Sequence, residues 1–384
     1  MKSFALSRFQ AGLVQSAFYM GYFLLATPAA LLMRRYGYKF GFLAGLCLLG
    51  TGTTLFWPAA QVDSYLFFLF ALFVIASGLA FLETASNPFI AQLGDREGAA
   101  RRLNFSQAFN PLGAIAGVLV GTVFIFSGVE LRPSQVAAMQ AQHVYHTYLR
   151  RETMRVVAPY LVLGTIAFLL AIVIWKTKFP SIGDAGDSAT EEAGSFRELL
   201  RYPHFLFSIL AQFMYVGAQV CTWSYFIQYV EEFTHRPEKV AGYLLTGTLV
   251  AFGIGRFSSA ELMKYVRPAS LMGTYSLVNI VLVGIGIAIP GWIGLWSIFL
   301  TSFFMSVMYP TIFALGIDRL GRNTKIGGSL IVMAIAGGAV LTPIMGLISE
   351  ASHSIAVAYA VPLVGYCFVA LYAFFGCSLP PRRA

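Results

Sequence analysis

The sequence predicts an all-α integral membrane protein made of two parallel, repeated bundles of helices. Three observations carry that prediction. The chain of 384 residues is 58% hydrophobic and 11% charged, with mean hydropathy +0.72, whereas a soluble domain carries about a quarter charged residues. Its apolar residues fall in runs of about 20, the length that crosses a bilayer as a helix, and not in the alternating segments of about ten that a membrane barrel needs. Motifs in its first half also recur in its second at nearly constant offset.

Along the chain the runs give eleven spans. Phe9–Leu32 stops at Arg34 and Arg35; Phe40–Trp57 starts after Lys39 and stops at Pro58. Tyr65–Ala91 is apolar except for Glu83 and its neighbours Thr84, Ser86 and Asn87, and closes before Asp95. Asn104–Phe126 follows Arg101 and Arg102 and carries Gly113, Gly117 and Gly121, a small-residue stripe of the kind that lets helices pack closely. A polar stretch with His143, His146, Arg150 and Arg151 leads to Val156–Trp175. The segment 176–203, with Gly183-Asp184-Ala185-Gly186-Asp187 and Glu191-Glu192, is a cytoplasmic linker between an N-terminal bundle (1–175) and a C-terminal bundle (204–384). The second bundle comprises Phe205–Tyr229, Val240–Met263, Ser270–Ile289, Ile293–Leu315, Ile326–Ile348 and Ile355–Phe375, the fifth of these with Gly327-Gly328 and Gly337-Gly338 as packing surfaces. Helices are required because lipid offers the backbone no hydrogen bonds.

A net charge of +9 would suit nucleic acid, but the cations follow membrane topology instead. With the Arg34-Arg35 loop cytoplasmic, 18 of the 26 Lys and Arg fall inside or at inner helix ends, Arg256 counted among them. That bias puts the C-terminus in the cytoplasm and Met1 outside.

Ala11-Gly12 and Leu32-Met33-Arg34 recur 230 residues later as Ala241-Gly242 and Leu262-Met263-Lys264; Pro88-Phe89-Ile90 and Leu93-Gly94 recur 222 residues later as Pro310-Thr311-Ile312 and Leu315-Gly316. Parallel halves of six helices are the architecture of major facilitator transporters. Carried back from Phe205–Tyr229, the 230-residue offset lands before Met1, so the expectation is 11 of 12 helices, with the first missing.

A carboxyl at the centre of a span costs roughly 3 kcal/mol on insertion scales, so Glu83 is a candidate proton-coupling residue; the bland alternative is a neutral carboxyl hydrogen-bonded between helices. Amides inside apolar spans suit the hydroxyls of a bound small molecule, and aromatics suit its apolar faces. Gln107 and Asn110, three apart, are expected to share a helix face, and Gln212, Tyr215, Gln219 and Trp223 line one face of the first helix of the second half. Asn87 and Tyr309 complete the candidate substrate set; interhelical hydrogen bonding is the structural alternative for all of them. Cys47, Cys221, Cys367 and Cys377 have neither metal nor disulfide spacing, and His143 with His146 reads as a solvated segment rather than a metal site. No cofactor is expected. The absence of a nucleophile–base pair or phosphate loop argues against an enzyme.

The runs Phe9-Gln10-Ala11-Gly12-Leu13-Val14-Gln15-Ser16-Ala17-Phe18-Tyr19, Phe56-Trp57-Pro58-Ala59-Ala60, Glu83-Thr84-Ala85-Ser86-Asn87-Pro88-Phe89, Arg102-Leu103-Asn104-Phe105-Ser106-Gln107-Ala108-Phe109-Asn110 and Met305-Ser306-Val307-Met308-Tyr309-Pro310-Thr311-Ile312-Phe313 resemble the fucose:proton symporter family over essentially the whole chain. The resemblance implies a monomeric, multi-pass transporter of the bacterial inner membrane that couples sugar uptake to protons by alternating access. Its partners would be a sugar, protons and membrane lipid, with no nucleic acid. L-fucose is the expected sugar, with glucose, galactose or N-acetylglucosamine as alternatives, and it matches Glu83, Gln107 and Asn110 to family positions for substrate or proton handling. Members carry a first helix with an aspartate and asparagines that is not found here. A non-transporting sugar receptor or an inactive truncated transporter is the competing class.

Overall fold

The computed structural model describes residues 8–62, 64–120, 135, 139–142, 144–179 and 196–380. Every regular element among them is helical. Part of the expected fourth span, most of the linker and the side chains of His143 and His146 lie outside the described residues, as does Gly121. Nine stretches among the described residues are long and apolar enough to cross a membrane.

The first two expected spans run together as α1 (Arg8–Thr54), reversed at Gly37, whose φ of 77° is a backbone state that glycine adopts without strain. A short α2 (Phe56–Gln61) leads to α3 (Tyr65–Gln92), started by Ser64, whose hydroxyl accepts the Phe67 N–H. Next come α4 (Ala99–Gln107), α5 (Asn110–Val120) and α6 (Tyr145–Lys176).

The second half runs α7 (Phe196–Leu199), α8 (Pro203–Ser224), α9 (Phe226–Thr234), α10 (Glu238–Leu262) and α11 (Pro268–Ala288). It continues through α12 (Trp292–Met305), α13 (Met308–Ile317), α14 (Thr324–Met333), α15 (Gly337–Ser352), α16 (Ile355–Ala358) and α17 (Ala360–Phe374).

Several expected spans are thus broken helices. Three of the breaks lie just before a proline: 108–109 before Pro111, 306–307 before Pro310 and Tyr359 before Pro362. Proline removes the N–H that would return to the carbonyl four residues back, so the helix bends or stops there. One consequence corrects a sequence expectation. Gln107 ends α4 and Asn110 starts α5, so the two do not share a continuous helix face; Gln107 is half-buried and Asn110 exposed.

The repeat is visible in the backbone. α3 and α13 are each followed by a single 3-10 turn, at Arg96–Gly98 and Gly321–Asn323, and then by a broken helix pair, α4–α5 and α14–α15. One core joins Tyr22, Ala76, Ala80 and Leu103 of the first half to Phe205, Phe313, Ile326 and Ile331 of the second, and a larger one lies within the second half around Tyr215, Tyr229, Met305 and Tyr366.

Glycines divide as the packing demands. A Cβ on Gly337 would stand 2.0 Å from the Phe213 carbonyl oxygen, and one on Gly338 2.7 Å from the Tyr19 hydroxyl. Gly113 and Gly117 have nothing within 4 Å among the described residues, so the expected packing stripe has no described partner there.

Candidate functional site

Glu83 sits five turns into α3, between the two halves of the chain. The Tyr22 hydroxyl of α1 donates to its Oε1 at 3.1 Å, and the Tyr309 hydroxyl of α13 donates to its Oε2 at 2.7 Å. Two such donors serve the oxygens of a carboxylate in surroundings where water does not supply them.

One turn further along α3 the polar contacts continue. Asn87 Oδ1 accepts from Gln107 Nε2 at 2.9 Å. Gln107 in turn accepts from Arg256 of α10 on both its oxygens, the backbone carbonyl at 2.7 Å and Oε1 at 3.1 Å, each from Nη1. Arg256 Nε donates to the Ser306 carbonyl at 2.9 Å, and its guanidinium lies 4.8 Å from the centre of the Phe252 ring. Asn87 is one turn from Glu83 and Ser306 precedes Tyr309 by three residues, so hydrogen bonds and chain connectivity together close a ring: Glu83, Asn87, Gln107, Arg256, Ser306, Tyr309 and back to Glu83.

Arg256 was placed by its sequence among the cations that set topology. It is only 3% exposed, inside a helix, and it interacts electrostatically with Glu83. That expectation is corrected. The signal was available: Arg256 interrupts an apolar run as Glu83 does, and an intramembrane cation carries the same presumption of function. Tyr22 was also missed, and one tyrosine among many apolar aromatics gives no such signal.

Buried groups with open hydrogen-bonding capacity occur in the ring, beside it and on α8. Thr84 Oγ1, Asn87 Nδ2 and both side-chain amide atoms of Gln212 have no hydrogen-bond partner among the described residues, and Gln212 is fully buried. Leaving such an atom unpaired costs about 1 to 3 kcal/mol, so groups of this kind call for a ligand or ordered water.

On α8 the other candidates divide. Tyr215 is buried and donates to the Met305 carbonyl at 2.9 Å; Trp223 Nε1 donates to Ser302 Oγ at 3.2 Å. Both bonds hold α8 against α12, and Tyr215 also interacts with the Arg256 guanidinium. Gln219 is half-buried. Asn110 stands off the ring on the exposed start of α5. Asn104, not among the candidates, links the halves through Thr311 Oγ1 at 3.0 Å.

At the basic end the halves meet again. Arg96 pairs with Asp318, which also holds Arg319 at 3.2 Å, and Arg322 contacts Glu198 at 3.1 Å. Lys39 donates to the carbonyls of Trp175 and Thr177, capping the end of α6. A cavity of about 400 Å³ lies here, lined by Gln92, Gly94, Arg96, Asp318, Arg319 and Thr324 among others. It does not reach Glu83.

Comparison with known proteins bears on the fold and the family. Residues 1–343 match the model of the Major Facilitator Superfamily. The chain is 41% identical to the L-fucose-proton symporter of Escherichia coli over 97% of its length and 86% of the relative's. A putative glucose/galactose transporter of Helicobacter pylori is 32% identical over 97% of the chain and 89% of the relative. The crystal structure of the transporter FucP in the outward conformation superposes with a TM-score of 0.90 at 40% identity, covering 98% of this chain and 92% of that one. A bacterial homologue of ferroportin, 13% identical with a TM-score of 0.71, shares the fold.

Proposed function

This chain belongs to the major facilitator superfamily and, within it, to the family of the L-fucose-proton symporters, and on that premise we propose that it takes up L-fucose together with protons. The observation that carries the proposal is the Glu83 carboxyl held between Tyr22 of the first half and Tyr309 of the second. A group that gains or loses a proton at the contact between the halves changes the energy of that contact, which is what coupling a proton to a rocking motion requires.

In this reading residues 1–175 and 204–384 move as two bundles around the site, joined by the 176–203 segment. The basic end and the C-terminus face the cytoplasm of a bacterial inner membrane, as the positive-inside bias favours. Gln107, Asn87, Gln212, Gln219 and Asn110 supply hydrogen bonds to the sugar, while Tyr309 and the ring of contacts around Glu83 sense whether the proton is bound. The pairing of Arg96 with Asp318 holds the cytoplasmic ends closed while the site is open to the other side.

Glucose and galactose are the alternative cargo, named for relatives of 32 to 33% identity. The test is uptake into proteoliposomes of purified protein. We expect labelled L-fucose to accumulate above its external concentration only when the outside is acidic, and excess unlabelled L-fucose to compete better than galactose or glucose. Accumulation of galactose in preference to fucose would move the substrate assignment; sugar movement indifferent to the proton gradient would overturn symport.

A further inference from the structure

Both carbonyl groups that Arg256 binds are ones that a proline has deprived of a helical partner. In a helix the carbonyl of residue i accepts the N–H of residue i+4. Four residues after Gln107 stands Pro111, and four after Ser306 stands Pro310; neither has an N–H to give. Each proline leaves one carbonyl open at a helix break, Gln107 in the first half of the chain and Ser306 in the second. Arg256 Nη1 takes the first at 2.7 Å and Nε the second at 2.9 Å. A guanidinium suits the task because its donors form a rigid fork and it holds its charge under all conditions.

We propose that Arg256 is the positioning residue of the site: it joins the two proline breaks across the halves of the chain and thereby sets the Gln107 amide against Asn87, one turn from Glu83. The second bond from Nη1 to Gln107 Oε1, at 3.1 Å, orients the amide so that Nε2 faces Asn87 Oδ1. With Arg256 removed, the carbonyl of a broken helix and the amide beside it are both free to turn. A role as mere counter-charge to Glu83 would need only a cation at this place; the geometry requires two donors aimed at two carbonyls. The effect on sugar binding rests on the transport reading, whereas the tie between the breaks does not.

The test uses Arg256→Lys, which keeps the charge and loses the fork, and the double variant Arg256→Lys with Pro111→Ala, in which residue 111 regains an N–H for the Gln107 carbonyl. Amide exchange over residues 99–117 is measured by mass spectrometry, and L-fucose binding by calorimetry. Exchange in that segment should quicken several-fold in Arg256→Lys and binding weaken about tenfold, the scale of one hydrogen bond to a charged group; the double variant should recover most of both. Parent-like exchange and affinity in Arg256→Lys, or a double variant as open as the single one, would overturn the proposal. If Arg256→Lys alone is not recovered folded, recovery of the double variant supports the tie and its failure sinks it. A parent protein that binds no L-fucose would count against the transport reading, and the exchange result would still decide the role of Arg256.

Discussion

Tyr309 donates to Glu83 from the opposite half of the chain at 2.7 Å, whereas Tyr22 reaches the same carboxyl from within its own half at 3.1 Å. The two hydroxyls are chemically alike and differ in what they join. Tyr309→Phe removes a contact that must change when the halves move apart, and Tyr22→Phe removes one that travels with Glu83. Loss of a hydrogen bond to a charged group is worth about 1.5 to 3 kcal/mol. We expect Tyr309→Phe to lower proton-driven accumulation at least tenfold, with Tyr22→Phe milder, both measured as steady-state sugar ratios across proteoliposomes. Equal effects would show that the position of the donor across the two halves is immaterial.

The Gln107 to Asn87 bond predicts coupling between their substitutions. Gln107→Ala and Asn87→Ala each strand the other's amide, so each should weaken sugar binding by about 1 to 3 kcal/mol. Their double variant should lose less than the sum, because the shared bond is broken only once. Asn110→Ala, off the ring and exposed, should be additive with both. Calorimetric affinities for the parent, the three single variants and their three pairwise combinations decide it.

Much of this site was legible in the residues. Glu83, Gln107 and Asn87 declare themselves because polar groups in apolar spans are expensive, and the repeat of Pro88 and Pro310 marks equivalent helices. Two things were not legible. The prolines were visible, yet helical spacing alone treats 104–126 as one helix, so Gln107 and Asn110 were given a common face that the break at 108–109 denies them. Arg256 was read by its sign, in a count of basic loops, and burial in α10 is a tertiary fact that a charge count does not contain. Tyr215 and Trp223 have the composition of a sugar platform, and that they also bond Met305 and Ser302 of α12 is a tertiary fact that helical spacing does not contain.

Packing separates the glycines in a way that expression can read. A Cβ at Gly337 meets the Phe213 carbonyl at 2.0 Å, and a backbone oxygen cannot swing aside. Gly337→Ala should therefore force α15 away from α8, at about the 1 to 3 kcal/mol of an overpacked core. Gly117→Ala, whose Cβ meets nothing within 4 Å among the described residues, should leave the thermal midpoint in detergent unchanged or slightly raised. Matching midpoints for the two variants would mean that the close approach at Gly337 is relieved at no cost.

At the basic end, Glu198 links α7 to the turn before α14. The Asn323 amide, with the Arg322 guanidinium beside it, holds its carboxyl below the usual range. A carboxyl so lowered adds stability that is present above its unfolded value, about 4.3, and fades as pH falls through the lower folded value. Glu198→Gln should thus melt below the parent at pH 7, by the amount of one partly exposed pair, under about 1 kcal/mol, with the gap narrowing as pH falls below the unfolded value. A difference that persists in acid would assign the loss to packing.

Glu83→Gln tests the carboxyl itself. The amide resembles the protonated acid in shape and still accepts from Tyr309 through its oxygen, so the ring of contacts through Asn87, Gln107 and Arg256 should survive. What disappears is the change of charge. A symporter whose proton site is fixed in its neutral form can still bind sugar and exchange it across the membrane, because exchange returns the loaded protein and needs no proton release. It cannot be driven uphill, because no proton then accompanies the sugar. We expect Glu83→Gln to retain counterflow of labelled L-fucose against unlabelled sugar, within a few-fold of the parent, and to show no accumulation at any imposed proton gradient. Loss of counterflow together with accumulation would make Glu83 a sugar ligand first, and full gradient-driven accumulation by the variant would take the proton from Glu83 altogether.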